Sequence, residues 1–150
     1  MFVFNKILRI LVLVLSFMFS MTYSTTLKME DVPGQLDKIA AYDFGQNRQV
    51  LSEFESFVHV VIDSPEKREM LENQMIVFLK SDATWASKQF ICKQISLAGT
   101  QKSVPVLIDL LMNESTANMA LYGLERIPDR AVDKALRKVL KKTDGNTRIG

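Results

Sequence analysis

Residues 82–142 read as one helix-turn-helix unit written twice. When the chain is displaced by 29 residues, Phe90, Ile91, Ile95 and Ala98 fall on Met119, Ala120, Leu124 and Ile127. Leu107, Leu110 and Leu111 fall on Leu136, Val139 and Leu140 at the same displacement, so the match covers both helices of the unit. Units of this kind bury their apolar faces against one another and stack. The predicted fold class is therefore all-α, an α-solenoid of stacked antiparallel helix pairs. The clearest repeats span 82–112 and 115–142. A third begins at Asn146, where "NTRIG" aligns with "ANMAL", and its incompleteness predicts a truncated chain or a missing cap.

The central helix of the first copy is apolar over a wide arc. Ala86, Phe90 and Leu97 form one stripe on a 3.6-residue wheel, and Ile91, Cys92, Ile95 and Ala98 form another. Gln89, Lys93 and Ser96 lie between the stripes. An arc this wide predicts burial on two sides, by the partner helix of the same unit and by the next repeat. Asp82 is the expected N-cap, Gly99 the expected left-handed C-cap, and Pro105 the first-turn proline of the partner helix, whose seam is Val104, Leu107, Ile108 and Leu111. In the second copy Gly123 stands mid-helix, at a cost of roughly 1 kcal/mol against alanine, which predicts close approach of a neighbouring backbone. Pro128 is expected to open the last helix, where Val132, Ala135, Leu136, Val139 and Leu140 oppose Arg130, Lys134, Arg137, Lys138 and Lys141.

Earlier in the chain, Pro33-Gly34 opens a helix carrying Leu36, Ile39, Ala40 and Phe44, closed by Gly45. Val50, Phe54, Phe57, Val58 and Val61 then recur at helical spacing, with Arg48, Ser52, Glu55 and His59 on the solvated side. Asp63-Ser64-Pro65 restarts the chain into a helix presenting Leu71, Met75, Phe78 and Leu79. Residues 46–80 thus resemble a degenerate earlier copy of the repeated unit. Residues 25–31 read as a polar linker, and 32–150 as the repeat domain.

Residues 1–24 place Lys6 and Arg9 before the apolar run Ile10 to Phe19 and then small polar residues, the order of a secretory signal peptide. Thr22 and Ser24 suit the positions before a cleavage site, which predicts an exported chain, periplasmic or extracellular. The alternative is an uncleaved membrane anchor, which the Thr/Ser-rich last third fits poorly against about 30 Å of hydrocarbon. Lys6 and Arg9 are the only charges in this leader, so of the 19 basic and 17 acidic residues a cleaved chain keeps 17 of each. A neutral balance argues against nucleic acid as a partner. Cys92 is the only cysteine, so no intrachain disulfide or cysteine-based metal cluster is available.

The residues Ala98-Gly99 at a turn, Val104-Pro105-Val106-Leu107 running into Leu110-Leu111, and the restart Asn146-Thr147-Arg148-Ile149 resemble the short HEAT-like repeats found in phycobilisome-lyase-type and many exported bacterial proteins. The resemblance covers residues 82–150 and extends loosely over 31–80. The period is shorter than the roughly 40 to 47 residues of ordinary HEAT repeats, and Ile127-Pro128 replaces the usual alanine-leucine-glycine turn. The resemblance implies an α-solenoid serving as a binding scaffold, often as one module of a longer exported polypeptide. In its lyase-type members it also suggests bilin attachment at Cys92.

The residues themselves favour no catalytic, cofactor or metal site. His59 is the only histidine, four residues after Glu55 on a solvated face, and reads as an exposed side chain. Cys92 sits inside an apolar arc and reads as core. The carboxylate pairs Asp31/Asp37, Glu53/Glu55 and Asp129/Asp133 read as caps and solvated faces. What stands out is the ridge of Arg130, Lys134, Arg137, Lys138 and Lys141, either a solvated outer face or the contact for an acidic protein or lipid head group. The expected function is a non-catalytic exported scaffold binding another protein or a neighbouring domain. The alternatives are an accessory module of a larger enzyme, or a membrane-surface adaptor if the leader is retained.

Overall fold

The computed structural model describes residues 27–140; the leader, Lys141 and the repeat begun at Asn146 lie outside the described residues. Among the described residues there are seven α-helices and no strand: α1 (Val32–Ala40), α2 (Gln49–Val61), α3 (Pro65–Leu79), α4 (Trp85–Ala98), α5 (Val104–Leu111), α6 (Ala117–Glu125) and α7 (Arg130–Leu140). Each follows an apolar period read from the sequence, and Pro33, Pro65 and Pro105 all fall in the first turn of a helix, where a missing N–H has no partner to lose.

At the centre stands α4, buried along its length, with Ile91 and Ile95 fully excluded from solvent. Burial of such a side chain contributes about 1.5 to 3 kcal/mol. On one side it meets α1, α2 and α3, which also approach one another, and on the other it lies along α6. Phe90 on α4 packs its ring edge-on to Phe54 of α2, with centroids 6.1 Å apart. The expected burial on two sides is present, with one difference. The backbone of α5 comes closest to α6 and α7 rather than to α4, so α6 covers both helices of the preceding unit. The reason lies in the connection: Gly99 and Thr100 are extended and lead through a 3₁₀ turn (Gln101–Ser103) that carries the chain away from α4.

Two polar joints fix this arrangement. The end of α1 leaves carbonyls unpaired, and the start of α4 supplies their donors. Thr84 donates its N–H to Ala40 O at 3.1 Å and its hydroxyl to Tyr42 O, while Ser87 Oγ donates to Ala40 O at 3.4 Å. At the other end, Glu72 of α3 is fully buried and accepts from the Thr100 N–H (2.6 Å), the Thr100 hydroxyl (3.0 Å to Oε2) and the Ser103 hydroxyl (2.7 Å). One side chain thereby ties the turn between α4 and α5 to α3.

Several local expectations are corrected. The cap of α4 is Thr84, whose Oγ1 accepts from the Ser87 N–H, because the helix starts at Trp85, too late for Asp82. Gly99 is extended rather than left-handed; glycine is needed there for space, since a Cβ would lie 2.5 Å from Ile95 O. α1 ends at Ala40, so Phe44 belongs to the following turn, 61% exposed, and Tyr42 takes the buried position instead. Leu97 faces outward at 40% exposure. α7 begins at Arg130, two residues after Pro128, the residue expected to open it, and Asp129 caps it by accepting the Ala131 N–H at 2.7 Å, in keeping with the capping role read for the Asp129/Asp133 pair. Within the supposed linker, Leu27 and Met29 pack against the core and Met29–Asp31 form a 3₁₀ turn. Gly123 is buried where α4, α5 and α6 converge; a Cβ there would lie 3.2 Å from both Leu107 methyls and 3.4 Å from Cys92 O, the close approach its position predicts.

Candidate functional site

α7 turns two very different faces outward and inward. Val132 and Val139 are buried, Ala135 and Leu136 are half-buried, and Arg130, Lys134, Arg137 and Lys138 are exposed. Successive members at i, i+4 and i+8 stand about 6 Å apart along the axis. No acidic side chain among the described residues lies within ion-pair distance of these four cations; the ion pairs present there are Lys28–Glu30 and Lys102–Glu69. Lys141, the fifth member of the ridge, lies outside the described residues. The helix leans chiefly on α5.

Between α5 and α7 runs an open groove of about 410 Å³. Its α5 wall is formed by Val104, Pro105, Ile108, Asp109 and Met112, and its α7 wall by Ala135, Lys138 and Val139. The sequence reading assigned Ile108 to the seam and overlooked Met112, which is 46% exposed. The repeat register held the missing signal. Displaced by 29 residues, Pro105, Ile108 and Asp109 fall on Lys134, Arg137 and Lys138, so the outer row of α5 corresponds to the ridge of α7.

The remaining candidates are dispersed. His59 is exposed on α2, with Glu55 half-buried one turn before it. Cys92 is buried on α4, and burial pushes its thiol up to about 12 against a weaker opposing influence of Lys88. Such a thiol is a poor nucleophile. Asp129 serves as a cap, Asp31 accepts the Lys28 N–H, and Glu53 accepts from the Gln35 and Gln49 side chains across α1 and α2. The exposed Glu69 is held below the usual carboxylate range by the hydrogen bond and charge of Lys102. Among the described residues, no group of three or more histidine, cysteine or carboxylate side chains is arranged to hold a metal ion. No described helix is long and apolar enough to cross a membrane.

Comparisons with protein-family models, curated proteins and solved structures find no match to this chain.

Proposed function

We propose that this chain is a HEAT-like helical scaffold, exported under its leader, that binds another protein through the cationic face of α7. The observation that carries the reading is the row Arg130, Lys134, Arg137 and Lys138, exposed and without an acidic partner among the described residues. Four like charges on one helix repel one another, and a complementary acidic surface would relieve that repulsion. The solenoid component is supported by the pairing of equivalent helices. α4 lies along α6 and α5 beside α7, and Ile91 with Ala120, and Ile95 with Leu124, occupy fully buried positions related by the 29-residue displacement.

A direct test measures anisotropy of a labelled oligoglutamate peptide on the full chain and on the double variant Lys134→Glu, Arg137→Glu. Binding should weaken by about tenfold in the variant and fall steeply with salt. Equal binding by the two proteins would reject the cationic face as the contact.

A further inference from the structure

Beyond its ridge, the scaffold presents an apolar strip in the same register. The outer row of the first unit is Pro105, Ile108, Asp109 and Met112, and the first three of these fall on Lys134, Arg137 and Lys138 of the second. α5 and α7 are neighbours, and the groove of about 410 Å³ between them is lined by all four residues of the first row but by Lys138 alone of the second. Both walls are therefore mainly apolar, and Lys138 joins the groove to the exposed ridge, in which Lys134 stands about one turn earlier, outside the lining. Asp109 is the one acidic residue of the groove lining, and Asp133 the one acidic residue of α7.

We propose that this groove receives an acidic amphipathic helix of a partner protein. Its apolar stripe would lie on Ile108, Met112 and Val139, and its carboxylates on Lys134 and Lys138. A helix in a groove matches the geometry, since anchors at i, i+3, i+4 and i+7 fill a linear trough while flanking charges set orientation. The spacing fits as well: Lys134 and Lys138 are one turn apart, as are glutamates at i and i+4. A lipid surface fits less well, because Ile108 and Val139 are recessed between two helices and a bilayer requires apolar groups that project. This inference rests on the scaffold reading and names its partner class.

The test uses the full chain and three labelled peptides of about four helical turns each, roughly 14 residues. One carries a leucine stripe flanked by glutamates, one the same stripe flanked by lysines, and one the glutamates with serines replacing the leucines. The first should bind at least about tenfold more tightly than the other two. Met112→Glu and Lys138→Glu alter exposed positions, and circular dichroism verifies that the helices persist. Each should weaken binding by about tenfold, and Lys138→Glu, which changes the charge by two against one for Met112→Glu, should reduce the salt dependence more. If the serine peptide binds as well as the leucine peptide and Met112→Glu is harmless, the groove is rejected while the cationic scaffold stands. If Lys138→Glu and the double variant Lys134→Glu, Arg137→Glu also leave binding unchanged, the scaffold reading falls with it. Binding of anionic phosphatidylserine vesicles in place of every peptide would overturn the proposal in favour of a membrane contact.

Discussion

Glu72 shows how much one side chain decides when it is buried among donors. Glu72→Ala would leave the Thr100 N–H and the Ser103 hydroxyl without their acceptor, at a cost of about 3 kcal/mol. Glu72→Gln keeps one carbonyl oxygen and should cost about 1 kcal/mol. Urea midpoints of the two variants read the difference. Cys92 gives a pH signature: its thiol is raised from 9.0 to about 12 by burial, so the unfolded chain releases that proton first as pH rises. The contribution of Cys92 is thus complete below pH 9 and is lost between 9 and 12. Cys92→Ala should flatten the fall of stability over that interval, and a thiol reagent at pH 8 should label the native protein far more slowly than the unfolded one. His59→Ala, at an exposed position, should change stability by less than about 0.5 kcal/mol.

At the scale of the element, the apolar periods located all seven helices, because each buries side chains at helical spacing, on one face in α7 and on two sides in α4. Their ends were harder to read. Asp82, Gly99 and Pro128 carry end-of-helix signatures, yet Thr84 and Asp129 make the caps by accepting the Ser87 and Ala131 N–H groups, and Gly99 answers to the Ile95 carbonyl; the residue at which each helix starts decides which of the neighbouring candidates caps it. Phe44 loses the buried place its spacing suggests, and Tyr42 takes it, because α1 stops at Ala40, where Thr84 and Ser87 satisfy its carbonyls. The buried Glu72 had no signature at all, since its donors arrive from 28 and 31 residues away. Gly123 was legible from sequence, and it yields a sharp prediction. Gly123→Leu forces a branched side chain against Leu107 and Cys92 O, which should lower stability by about 3 kcal/mol. Thermal denaturation followed by circular dichroism measures it, and an unchanged midpoint would mean that α6 does not sit as closely as described.

For the molecule as a whole, the ridge was visible in the sequence because charge at helical spacing survives any packing. The groove was not, since it forms only where α5 and α7 meet. α4 is the shared interior helix, joining α1, α2 and α3 to α6, while α7 leans chiefly on α5. This hierarchy dictates an order of local opening. Hydrogen exchange resolved by mass spectrometry tests it on the full chain. Amides of α4, from Phe90 to Ile95, should exchange slowest and only through global unfolding, with those of α7 exchanging much earlier. Equal or faster exchange in α4 than in α7 would contradict a structure built around that helix.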